Sequence, residues 1–286
     1  MSELSPTKEG YIHPDGLNVF YEYFGNGDKE ALVLLNGVAM FTKSWYNYLP
    51  MVYPEFDVLL FDYLGQGNSS SDDIPYKVED FANFLLMIMD ELGIKKIHVM
   101  GISFGAIVGA EFARTHQDRI HTLTLSGGLI TREETFIYGA ELGLKILADG
   151  HYGIWSDSIY SQIFGEEFMK KMRPLFDTMK EKLLERYADR MHALYRLVES
   201  QFIYFKDEKE SEDRLETYAK IKVPTLVVAG RHDRAVPLWL QEKMADILPG
   251  SRMIVVDNCG HVVYIEQAAF MFEKLLQFMR AKSTEF

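Results

Sequence analysis

Only one cysteine, Cys259, occurs in 286 residues. That excludes an internal disulfide and any zinc site assembled from clustered thiolates. Positive charge is also scarce: 30 Lys and Arg stand against 42 Asp and Glu, a formal net charge of -12 with no basic stripe. Such a chain repels a phosphate backbone, so nucleic acid is not an expected partner. No apolar run approaches the roughly 20 residues that span a bilayer. The start, Met1 to Glu9, lacks the apolar segment of a signal peptide, and a cytoplasmic location is expected. Internal repeats and low-complexity tracts are missing too. The charge run Lys206 to Arg214 reads as a solvated loop or helix end.

What is present describes a globular enzyme-sized chain. Hydrophobic residues make up 48% and charged ones 25%, ordinary values for a protein with a sizeable core. Residues 17–24 and 30–35 flank the turn cluster Gly25-Asn26-Gly27-Asp28, which predicts an antiparallel hairpin. Phe56 to Phe61 is a buried-strand run, and Val78, Phe81, Leu85, Ile88, Met89 and Leu92 recur at helical spacing before a capping Gly93. Strand and helix then alternate through residue 126, which predicts a mostly parallel sheet with helices on both faces. From about Thr131 to Thr217 the strand pattern stops, and helix formers, aromatics and methionines take over. It resumes at Pro224 to Gly230. The division expected is a core of residues 1–130 and 218–286, with 131–217 inserted as a helical cap. Gly37 to Ser44 comes close to a nucleotide-binding loop, but Thr42 stands where that loop requires glycine before its lysine.

The stretch Ile97 to Ala106 places Gly101-Ile102-Ser103-Phe104-Gly105 between a strand and a helix. A turn this tight exposes the serine hydroxyl and needs residues without side chains on either side. The helix it opens aims its first N–H groups, beginning with Phe104, at whatever Ser103 attacks. A serine hydroxyl is a poor nucleophile at neutral pH and requires a base, which in turn requires an anionic partner. Of eight histidines, His261 follows a strand within Asp257-Asn258-Cys259-Gly260-His261, where an open α/β sheet gathers its sites. His98, His116, His121, His151 and His192 fall on strand interiors, helices or loops. Asp233 follows a strand within Gly230 to Pro237 and is the preferred acid, with Asp62 and Asp257 as rivals and His232 as a loop residue. The position after the strand that follows the nucleophile helix carries Ser126, which cannot serve as the acid. A second oxyanion donor is expected from the loop Asn36-Gly37-Val38, with the Val38 amide as candidate.

Together, the elbow around Ser103, the Asp62-Tyr63-Leu64-Gly65-Gln66-Gly67-Asn68-Ser69 loop, the loop of Asp233 and that of His261 resemble the α/β-hydrolase superfamily. The order Ser, Asp, His is also that of the superfamily. Many relatives have His-Gly where this chain has Asn36-Gly37, which leaves the shape of the oxyanion loop open. The resemblance implies an α/β-hydrolase fold and a serine hydrolase that forms an acyl-enzyme, with no metal or organic cofactor. Cap residues such as Phe136, Tyr152, Trp155, Phe168 and Met172 point to a small substrate with an apolar group: a carboxylic ester, a thioester or a lactone. Carbon–carbon bond hydrolases, haloperoxidase-like enzymes, acyltransferases and small-molecule receptors share the same three residues and remain alternatives. Oligomeric state is not legible.

Overall fold

The computed structural model describes residues 4–286. Eight strands form one sheet: β1 (Lys8–Ile12), β2 (Val19–Phe24), β3 (Ala31–Leu35), β4 (Asp57–Phe61), β5 (Ile97–Ile102), β6 (Ile120–Ser126), β7 (Thr225–Gly230) and β8 (Arg252–Val256). Their spatial order is β1-β2-β4-β3-β5-β6-β7-β8. β1 and β2 are antiparallel to each other, and β2 is antiparallel to β4. From β4 to β8 every pairing is parallel.

The predicted hairpin does not form. β2 pairs with β1 and β4, whereas β3 lies between β4 and β5. The reason is burial. All five residues of β3 are apolar and inaccessible, and such a strand needs neighbours and helices on both faces, which the interior of the sheet supplies and a terminal hairpin does not. The turn after β2 is instead tied to β4, where Asp57 Oδ2 accepts bonds from the Gly27 N–H and the Tyr23 hydroxyl, each at 2.8 Å.

Alternate residues of the central strands feed two cores. Ala31, Val33, Leu35, Ile97 and Val99 face one layer, containing α2 (Val78–Glu91) and α3 (Phe104–His116). Leu32, Leu34, Met100 and Ile102 face the other, with Trp45, Leu49 and Val52. The last two residues belong to α1 (Leu49–Val52). Between β6 and β7 stand α4 (Glu134–Ala148), α5 (Tyr152–Ile163), α6 (Glu166–Met172), α7 (Phe176–Tyr187), α8 (Met191–Lys206) and α9 (Glu208–Tyr218), with no strand among them. Pro174 sits in a single 3-10 turn joining α6 to α7, where its fixed φ starts a helix instead of interrupting one. α10 (Leu238–Ile247), α11 (Val263–Glu266) and α12 (Ala268–Ala281) complete the chain. The side chains of Met271, Phe272, Leu275 and Phe278 close the second core from α12.

Candidate active site

Ser103 stands at the turn from β5 into α3 with φ 52 and ψ -119, a conformation costly for any residue with a side chain. Neighbouring structure holds it there. The Ser103 N–H donates to the Ser126 carbonyl at 2.8 Å, and its own carbonyl accepts from Ala106 at 2.9 Å. The flanking glycines are enforced by contact: a Cβ on Gly101 would lie 2.1 Å from the Gly105 carbonyl oxygen, and one on Gly105 would lie 2.3 Å from that of Leu35. Neither position has room for alanine.

Asp233 and His261 meet across two loops that leave adjacent strands, β7 and β8. His261 Nδ1 lies 2.8 Å from Asp233 Oδ2, with both side chains at 5% exposure or less. The rest of the carboxylate is also occupied. Oδ1 accepts the N–H groups of Ala235 at 2.9 Å and Val236 at 2.8 Å, and Oδ2 accepts Gln241 Nε2 at 3.0 Å. Four donors surround the one carboxylate, the His261 ring among them. With Oδ2 accepting from Nδ1, a neutral His261 carries its lone pair on Nε2.

The ring of His261 lies beside the elbow. A Cβ on Gly127 would be 2.8 Å from His261 Cε1, and Gly127 follows Ser126, the acceptor of the Ser103 N–H. No hydrogen bond joins the Ser103 hydroxyl or His261 Nε2 to a described residue, and the one side-chain bond of His261 is that to Asp233. Burial alone pushes the His261 imidazole down, but the charge and hydrogen bond of Asp233, together with the Glu266 carboxylate, leave its pKa raised.

Sequence reasoning missed the supports of this pair. Gln241, fully buried on α10, bridges the Asp233 carboxylate to the Gly127 N–H at 3.1 Å. Segment 161–165, at the end of α5, is bonded to both loops. His261 N–H donates to the Ile163 carbonyl at 2.8 Å, Arg234 Nη1 to the carbonyls of Ser161 and Phe164, and the N–H groups of Gly165 and Gly260 both donate to Glu266. A mid-helix glutamine and a loop held through its carbonyls carry no pattern that would expose either.

The rival residues lie elsewhere. Asp62 accepts the backbone N–H groups of Thr42 and Asn68 and spans its own loop, and burial pushes its carboxyl up to about 6. Asp257 pairs with Arg231 on the surface. His98 is buried between Thr122 and Glu30, its pKa pushed down by burial to about 4. On the other side of Ser103, the Gly37 loop approaches closely: a Cβ on Gly37 would lie 3.7 Å from Ser103 Cβ and 3.4 Å from Met40 Sδ. Among the described residues no three metal-ligating side chains converge, and no helix is long and apolar enough to cross a membrane.

The chemistry on hand is a half-buried alcohol at a helix N-terminus, with a buried carboxylate–imidazole pair beside it. Comparison with known proteins agrees in fold. The chain is 32% identical over 276 residues to a 2-hydroxy-6-oxononadienedioate/2-hydroxy-6-oxononatrienedioate hydrolase of Paraburkholderia phymatum, covering 92% of this chain and 91% of that one. It superposes on MGS-M2, an α/β-hydrolase enzyme from a deep-sea metagenome library, with a TM-score of 0.85 at 22% identity, over 95% and 97% of the two chains. A thermophilic esterase from Thermogutta terrifontis gives a TM-score of 0.81 at 20% identity, over 97% and 100%. The family model described as alpha/beta hydrolase matches residues 32–274, and the chain belongs to that family.

Proposed function

We propose that the protein is a serine hydrolase that cleaves a small carboxylic ester, thioester or lactone bearing an apolar group. The observation that carries this reading is the buried Asp233–His261 pair, 2.8 Å apart, beside the Ser103 elbow. His261 Nε2 removes the Ser103 proton as Oγ attacks the acyl carbonyl, and Asp233 stabilises the imidazolium that forms. The N–H groups of Phe104 and Val38 stabilise the oxyanion. His261 then protonates the leaving alcohol, and water activated by the same nitrogen releases the acid. Residues 131–217 cap this site and supply its apolar wall, and the reaction requires no cofactor.

A second reading follows from the dienedioate hydrolase named above: cleavage of a carbon–carbon bond in an oxo-dienoate by the same three residues. Arg186 of α7, whose Nη1 donates to the Ala39 carbonyl at 3.3 Å, puts one cation at the rim of the Gly37 loop, where a dioate would need charge. A panel of p-nitrophenyl esters of graded chain length, run beside a 2-hydroxy-6-oxodienoate followed by loss of its absorbance, separates the two. Ester turnover that vanishes in Ser103→Ala is the expected result. Turnover of the dienoate alone would replace the first reading with the second, and equal rates in wild type and Ser103→Ala would end both.

A further inference from the structure

Asn36, the departure from the common His-Gly pair, is fully buried and has a defined job. Its Oδ1 accepts Trp45 Nε1 at 2.7 Å, and its Nδ2 donates to the Phe61 carbonyl at 2.9 Å and to Gln66 Oε1 at 3.0 Å. Gln66, also fully buried, accepts a longer bond from the Tyr63 N–H at 3.3 Å. Its Nε2 donates to two consecutive carbonyls, Gly37 at 2.8 Å and Val38 at 2.9 Å. Both amides are locked against rotation. Turning Asn36 over would set donor against the Trp45 N–H, and turning Gln66 over would set its oxygen against two carbonyls.

A trans peptide directs its C=O and N–H to opposite sides. With the Gly37 carbonyl drawn onto Gln66, the Val38 N–H of that peptide points away from Gln66. The next peptide is held the same way by the Val38 carbonyl. Gly37 itself lies against Ser103, since a Cβ there would be 3.7 Å from Ser103 Cβ, so a Val38 N–H turned from Gln66 belongs to a loop that borders the serine.

We infer that Gln66 is a positioning residue for the oxyanion hole: through the carbonyls of Gly37 and Val38 it fixes the direction of the Val38 N–H, with Asn36 and Trp45 fixing Gln66 in turn. This rests on the Ser103 reading proposed above. The Gly37 carbonyl also accepts the Met40 N–H at 3.2 Å, whereas the bond from Gln66 to the Val38 carbonyl is supported only through Asn36, so Asn36 and Gln66 act as one unit there.

The test compares wild type with Gln66→Met, which keeps length and loses the bonds, and Gln66→Glu, which keeps an acceptor for Asn36 and sets oxygen against the two carbonyls. Rates on p-nitrophenyl butyrate are divided by the fraction of sites that a fluorophosphonate labels, so that unfolded protein drops out. Expected is a fall in kcat per labelled site of about 100-fold in both, the scale of losing one oxyanion donor. KM stays within threefold, and affinity for butylboronic acid, a tetrahedral mimic, falls in step with kcat/KM. A purely structural role predicts fewer labelled sites with kcat per site within threefold of wild type, and that result overturns the inference. Wild type that is neither labelled nor active on the ester overturns the Ser103 reading first and this inference with it.

Discussion

Replacing Asp233 by asparagine tests the pair at the centre of the site. In the wild type, Oδ1 is claimed by two backbone donors, the N–H groups of Ala235 and Val236. An asparagine must turn its one oxygen to them, which sends its NH2 to the place of Oδ2. There it faces Gln241 Nε2 and His261 Nδ1. Gln241 cannot turn over to accommodate it, because its oxygen holds the Gly127 N–H and its nitrogen also donates to the Val236 carbonyl at 2.8 Å. His261 must therefore accept at Nδ1, which moves its proton to Nε2 and removes the lone pair that the proposed mechanism uses to activate Ser103. A carboxylate-to-amide exchange that fixes the wrong tautomer in such a triad costs about 10,000-fold in kcat, or about 5.5 kcal/mol of transition-state stabilisation. The assay is kcat for p-nitrophenyl butyrate at pH 7, normalised to folded protein by circular dichroism. A variant within tenfold of wild type would mean that Asp233 does not set the tautomer of the base.

The remaining predictions concern pH and packing. Because Asp233 and Glu266 outweigh burial and raise the pKa of His261, kcat/KM falls on the acid side with an apparent pKa above the ordinary imidazole value of about 6.5. Glu266→Gln removes one of those charges and moves this limb to lower pH, and a limb unmoved or displaced upward contradicts the assignment. Stability runs in the opposite sense: the folded state favours protonated His261, so its contribution is fully present below the ordinary imidazole pKa and fades as pH rises through the folded value. Gly260→Ala places a Cβ 2.5 Å from the Gly165 nitrogen and 2.6 Å from the Ile163 oxygen. Overpacking of this kind costs about 1–3 kcal/mol, and a denaturant midpoint equal to wild type would show that the two backbones are not in contact.

The parallel core was legible because its signals are local and repeated. The strand-forming residues Ile97 to Met100 do lie in a strand, which runs on two residues to Ile102, and Phe104 to His116 is the helix expected after it. The hairpin failed for a reason no short window contains, since whether β2 turns back on β3 depends on which strands compete to cover β3. β1 was overlooked as well: Lys8-Glu9-Gly10-Tyr11-Ile12 is an edge strand with its first two residues exposed, so it lacks the apolar content that marks the interior strands. At the site, positions after strand ends pointed to Asp233 and His261, because parallel sheets deliver loops to one edge. Gln66, Gln241 and the carbonyl of Ile163 stayed hidden. Their partners are chiefly backbone atoms, with Asn36 for Gln66 and Asp233 for Gln241, and such contacts exist only once the chain has folded.

The same contacts bear on how a substrate could enter. Segment 161–165 belongs to the inserted helices, yet it is held to the loops of Asp233 and His261 by hydrogen bonds from His261 N–H, Arg234 N–H and Arg234 Nη1, and through Glu266. Lifting this edge would break several of those bonds at once and displace His261. At the opposite side, Tyr204 on α8 donates to the buried Glu111 of α3 at 2.7 Å and lies 2.6 Å from the Tyr218 hydroxyl of α9, so that edge is anchored to the nucleophile helix. Between the two anchors lie α6 and α7, where Arg173, Asp177, Lys182 and Glu185 leave the face polar and Tyr187 is the buried side chain of α7. α6 and α7 are not loose between these anchors, because Phe168 and Phe176 pack their rings on Phe164 at 5.3 and 5.6 Å and so join both helices to segment 161–165. Rotation of residues 131–217 as one body would therefore break the hydrogen bonds that hold the loops of Asp233 and His261.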